Sequence, residues 1–217
     1  MTNIGTSPDN RLAGLSADLF HKLQAGSLTL DELVLFTQRK NPFAFERNEH
    51  GHIVLTFVGL DLTGAQEIER LEGTGFRFGK YAKQCLMSRN SDSYDAKHRL
   101  VAGQMYKIAL MPGREIEKDS DRTTANLQKR GMEHYGYGKP LAGLVPRYRE
   151  RISDKQMEEM GFWYISSTHD PIKDFGGGPL VLSADRGGGG RWVYASWGEP
   201  DARWDGRGAF AFPVPAS

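Results

Sequence analysis

The order in which two hydrophobic patterns follow one another constrains this chain most. Up to about Gly161, apolar residues recur at helical three- and four-residue spacing between capping motifs, broken by one hairpin and one isolated strand. From Phe162 onward the spacing shortens to two, in aromatic and β-branched runs separated by glycine-rich loops. Helices first and strands later, with no regular strand-helix-strand alternation, predict an α+β fold and not a doubly wound sheet. The expected architecture is an N-terminal helical hairpin, then a mixed domain with a loop-rich C-terminal β region.

Residues 11–24 place Leu12, Leu15, Leu19 and Leu23 on one stripe before Gly26, and Thr29 with Glu32 has the spacing of a capping box ahead of Leu30, Leu33 and Phe36. Asn41-Pro42 ends this second helix. The predicted organisation is therefore a hairpin over 1–41, packed on a main domain over 42–217; a docking role for the hairpin is the alternative. Residues 43–47 and 52–58 flank the turn Asn48-Glu49-His50-Gly51 and predict a β-hairpin. Thr63 with Gln66 and Ser153 with Gln156 repeat the capping-box spacing, closed by Gly73 and Gly161, and Met105–Met111 predicts a strand stopped by Pro112-Gly113. Phe162–Ile165, Leu180–Leu182, Arg191–Trp197 and Gly208–Val214 are the C-terminal strands.

The 217 residues are 39% hydrophobic and 25% charged, enough for one well-packed domain. With 28 basic and 27 acidic residues, no net field draws the protein to nucleic acid or an anionic membrane. Cys85 is the only cysteine, which removes any disulfide framework or Cys-rich metal site. The polar first ten residues lack a signal-type apolar core, and no run approaches a membrane span, so the expected setting is cytoplasmic, with no membrane partner and no cofactor.

The densest functional signal lies between Arg191 and Phe212. Trp192, Trp197 and Trp204 alternate there with Arg, Asp and Glu, a composition that offers rigid contact area with polar handles. Pro200-Asp201-x-Arg203, followed by Gly208-x-Phe210-x-Phe212, resembles the closing part of C-type-lectin-fold domains of the formylglycine-generating-enzyme type, and within them the variable proteins of diversity-generating retroelements. The resemblance covers about the last thirty residues. It implies a C-type-lectin-like domain whose C-terminal loops present a binding face, with Tyr194, Ser196, Glu199, Asp201, Arg203, Asp205 and Arg207 as the exposed candidates. Strand alternation puts Tyr194 and Ser196 on one face and Val193 and Ala195 on the other. Oxygen-dependent formylglycine formation uses paired cysteines, whereas Cys85 stands alone. The expectation is accordingly a non-catalytic domain that binds a protein or a polar ligand.

A second reading is a hydrolase or transferase built on His169, Asp170 and Asp174, a histidine beside carboxylates ahead of Gly176-Gly177-Gly178. His50-Gly51-His52 lacks a third metal ligand nearby and reads as an exposed turn. Arg147, Arg149 and Arg151 read as a solvated face tempered by Glu150 and Asp154. The glycine loops lack the Lys-Ser/Thr or helix start of a phosphate site. Cys85 reads as a buried small hydrophobe.

Overall fold

The computed structural model describes residues 8–38, 45–187 and 189–215. They fall into two compact units that divide between Phe45 and Glu46. The first contains α1 (Pro8–Gln24) and α2 (Leu30–Thr37). The Thr29 side chain accepts from the Glu32 amide while Glu32 accepts from the Thr29 amide at 2.7 Å, which closes the expected capping box. Gly26 takes the positive φ of the intervening turn. Leu15, Phe20, Leu30, Val34 and Phe36 are exposed. The expected strand residues Phe43 and Ala44 lie outside the described residues.

The second unit is an α+β domain with one mixed sheet of eight strands: β1 (Ile53–Val58), β2 (Phe76–Phe78), β3 (Met105–Pro112), β4 (Tyr164–Ser166), β5 (Ile172–Lys173), β6 (Pro179–Gly187), β7 (Gly190–Trp197) and β8 (Gly208–Pro213). Their order is β1-β3-β8-β4-β6-β7-β2, with β5 paired to β6. The pairs β4–β8 and β2–β7 are parallel and the others antiparallel. Its helices are α3 (Gly64–Glu72), α4 (Lys80–Met87), α5 (Tyr94–Lys97), α6 (Thr124–Lys129), α7 (Leu144–Arg151) and α8 (Asp154–Glu159). Both remaining capping boxes form, at Thr63 and Ser153, and no helix follows Phe162 among the described residues. No described helix is long and apolar enough to cross a membrane.

Period-two alternation divides the sheet into two faces. Ile165, Ala184, Val193 and Phe78 lie side by side across β4, β6, β7 and β2 and are all buried, where α4 and α7 pack on β6 and β7. The opposite face carries Ala109, Met111, Val181, Phe210 and Phe212, which form a core with Leu127, Tyr137 and Trp204. Burying apolar area at about 25 cal/mol per Å² is what holds such a layer in place.

Cys85 is fully buried on α4, and burial pushes its thiol up to about 12. Only the thiolate is nucleophilic. The native protein should therefore react with a disulfide reagent at least a hundredfold more slowly than the urea-unfolded chain, measured as thiol release over time; rapid stoichiometric labelling of native protein would contradict this burial.

Three polar groups read from sequence as solvated are instead buried. Arg147 and Arg149 are 3% and 0% exposed, because their guanidinium groups pair with Glu67 and Asp154 respectively, and Arg149 also donates to the carbonyls of Ile152 at 2.9 Å and Trp192 at 3.1 Å. His52, just ahead of β1, is 2% exposed, its ring nitrogens held by the Tyr137 hydroxyl and the Glu115 carboxylate.

Candidate functional site

The site begins with one row of residues across the sheet. The strand register places Gly208 beside Tyr164, Tyr164 beside Asp185, Asp185 beside Trp192 and Trp192 beside Arg77, so these side chains share the face that carries Trp204. Gly208 is required at its place, since a Cβ there would lie 2.1 Å from Cζ of the Tyr164 ring. Tyr164 leans over it and donates its hydroxyl hydrogen to the Asp205 carbonyl at 2.7 Å. Trp192 stacks on Tyr194 with ring centroids 5.0 Å apart, and the Arg77 guanidinium sits 5.6 Å from the Trp192 ring.

The loop after β7 closes over one end of this row. It is irregular, yet its backbone is satisfied by α6: the amides of Thr124 and Ala125, free donors at a helix start, bond the carbonyls of Ala202 and Pro200 at 3.0 and 2.9 Å. Trp204 is buried beneath it and donates its indole N–H to Thr124 Oγ1 at 2.9 Å. Arg122, 3% exposed, ties the same region together by donating to the carbonyls of Gly113, Ile116 and Trp204 and to Asp119. These contacts fix the loop as a wall.

Between loop and sheet lies a cavity of about 610 Å³. Tyr164, Asp185, Ser196 and Trp197 line it from the sheet, and Glu199, Asp201, Arg203, Trp204 and Asp205 line it from the loop. Five of the seven sequence-predicted residues thus converge there: Ser196, Glu199, Asp201, Arg203 and Asp205. Tyr194 and Arg207 do not line it. Tyr194 shares the face of Ser196, as alternation requires, but is half-buried against Trp192 and next to Gly79. Arg207 points away, pairing with Asp205 at 3.0 Å and lying 5.6 Å from the exposed Trp163 ring. The three tryptophans divide: Trp204 is core, Trp192 half-buried, and Trp197 is 58% exposed at the rim.

Asp185 and Tyr164 are the cavity residues that the sequence reading missed. A signal was present, because Val181, Ser183 and Asp185 alternate with Leu182 and Ala184 beyond the short apolar run, and the strand continues to Gly187. Burial pushes the Asp185 carboxyl above its ordinary range, while the Ser183 hydroxyl, donating at 2.6 Å, and the charge of Arg149 work the other way. Asp205 is held below its ordinary value chiefly by the Arg207 side chain. The Glu199, Asp201 and Arg203 side chains make no hydrogen bond or ion pair among the described residues.

His169, Asp170 and Asp174 do not form a site. His169 is fully buried; its Nδ1 donates to the Asp170 carbonyl at 2.6 Å and its Nε2 accepts from the Leu182 amide at 3.0 Å, so both ring nitrogens are occupied by backbone. Burial pushes it to about 3 and the adjacent His98 to about 4, which keeps both rings neutral. The Asp170 carboxylate pairs with Lys139 at 2.8 Å, and Asp174 caps the amides of Gly176 and Gly178.

A second polar cluster surrounds His52. Its Nε2 donates to Glu115 Oε1 at 2.5 Å, and its Nδ1 accepts from the Tyr137 hydroxyl at 2.7 Å, itself held by the Asn48 amide at 2.6 Å. Tyr135 and Arg130 donate to the other Glu115 oxygen at 2.5 and 2.9 Å. Arg130 begins a π-turn (Arg130–His134) that continues from α6. Among the described residues, no group of three His, Cys, Asp or Glu side chains is placed to hold a metal.

Fold and site together define an α+β protein with an acidic, aromatic-walled cavity at the C-terminal end of its chain. Comparison with protein-family models, with curated proteins and with solved structures finds no match for this chain.

Proposed function

We propose that the protein is a non-catalytic binding module, which takes a polar ligand or a partner's side chain into the cavity between the sheet and the loop 198–207. The observation that carries this reading is the cavity itself: about 610 Å³, within the range of small-molecule sites, with aromatic walls and a few convergent polar groups left without partners. The reading keeps what the C-terminal resemblance implies, a ligand face built from the last loops, and needs no chemical step. The catalytic alternative has less support, because neither ring nitrogen of His169 faces a substrate.

The test is a panel of amines, amino acids, sugars and carboxylates, read by amide and indole NMR shifts of the labelled protein. Saturable shifts should gather at Ser196, Ala202 and the Trp204 indole, and Ser196→Trp, which fills the cavity, should abolish them. If nothing in the panel moves these resonances, or if binding survives the filled cavity, the reading is wrong.

A further inference from the structure

Resting on that reading, we infer that the ligand is a cation: an ammonium or guanidinium group seated against Asp185 beside the adjoining rings of Tyr164 and Trp204. The cavity's own charges argue for this. Asp205 is already neutralised by Arg207. Asp185, Glu199 and Asp201 then share the lining with a single cation, Arg203, an excess of two negative charges that Arg149, buried off the cavity and already paired with Asp154, offsets only in part. Asp185 is the one that matters most, since it stands in the sheet row, half-buried, where rigid strands fix its position.

Its only hydrogen bond among the described residues comes from Ser183, so the remaining acceptor capacity of a desolvated carboxylate is unused. Burial raises its carboxyl more than the Ser183 hydrogen bond and the charge of Arg149 lower it, so neither of them fully compensates its desolvation. Aromatic faces are the second half of the argument. Tyr164 and Trp204 lie with centroids 5.8 Å apart, and Trp197 stands exposed at the mouth. A ring face attracts a cation and not an anion. An anionic ligand would meet three carboxylates for one guanidinium, and a neutral one would leave Asp185 desolvated and unpaired. Both a free amine and a lysine or arginine side chain of a peptide carry the required group, and their sizes distinguish them.

The probes are agmatine, a blocked arginine tripeptide, 1,6-hexanediol and adipate, titrated into the full chain with the same NMR readout. Agmatine or the tripeptide should saturate the cavity shifts, and whichever binds tighter identifies the free or the peptide-borne form. Hexanediol and adipate should not saturate them. Asp185→Asn, which keeps the Ser183 contact and the volume, should weaken cation binding at least about tenfold, as expected for losing a charge-assisted bond. Should that variant fold poorly, Glu199→Gln with Asp201→Asn at the rim should weaken it about threefold or more. Cavity shifts from adipate or hexanediol equal to those from agmatine, or Asp185→Asn binding as tightly as wild type, would overturn the cation while leaving a binding cavity. No cavity shift from either cation overturns it as well, and the wider panel then decides the binding reading separately.

Discussion

Replacing Arg147 by methionine should cost about 3–5 kcal/mol of unfolding free energy, whereas replacing Arg147 and Glu67 together by methionine should return the protein to within about 1 kcal/mol of wild type or above it. The reason is the depth of the pair. Glu67 on α3 and Arg147 on α7 are 1% and 3% exposed, and they bond each other directly. Burial dominates both groups: it pushes the Glu67 carboxyl up against the pull of Arg147 and Arg70, and it pushes the Arg147 guanidinium down. Each ion is thus tolerated only because the other is there. Removing Arg147 leaves the buried Glu67 carboxylate with a single remaining partner, Arg70 at 3.2 Å, while removing both exchanges two desolvated ions for packed apolar volume. Urea unfolding followed by circular dichroism and by tryptophan fluorescence measures both variants, and coincident curves establish two-state behaviour for the second unit. A single variant within 1 kcal/mol of wild type, or a double variant as unstable as the sum of its parts, would refute this account of the pair.

The same pair shows where sequence reading stops. Capping boxes at Thr29, Thr63 and Ser153 are local: donor and acceptor lie three residues apart, so their spacing alone predicts the bonds that form. The C-terminal strands were equally legible, since alternation and glycine are properties of neighbouring residues. Arg147 finds its partner 80 positions away and His52 finds Tyr137 85 positions away, and nothing near either residue marks it as buried. Arg122 is harder still, because most of its acceptors are backbone carbonyls, which every residue has. In the cavity, Ser196, Glu199, Asp201, Arg203 and Asp205 were legible because the end of β7 and the loop that follows it are rich in charge and tryptophan. Asp185 was not, since it comes from the partner strand and joins them only through the sheet register.

A second consequence of long-range pairing appears in acid. The Glu115 carboxyl is pushed up by burial, but hydrogen bonds from His52, Tyr135 and Arg130 outweigh this and hold it at about 2, against an ordinary 4.5. A carboxyl that titrates lower in the folded state than in the unfolded one stabilises the fold above the unfolded value; that stabilisation falls as the pH drops from about 4.5 and is gone below about 2. At 1.36 kcal/mol per unit the shift corresponds to ~3 kcal/mol, and solvent screening at a side chain still 20% exposed reduces this to about 2 kcal/mol. Glu115→Gln should therefore cost about 2 kcal/mol at pH 7. The difference from wild type should be unchanged down to about pH 5 and should shrink toward zero by about pH 2. Taking that difference matters, because His98 and His169, kept neutral by burial, also withdraw stability as the pH falls below 6.5, and they do so equally in both proteins. The measurement is urea unfolding of wild type and variant at half-unit pH steps. A difference that stays constant from pH 7 to pH 2 would mean that Glu115 acts through its shape and not its charge, and the clasp it forms with His52, Tyr135 and Arg130 would lose its electrostatic basis.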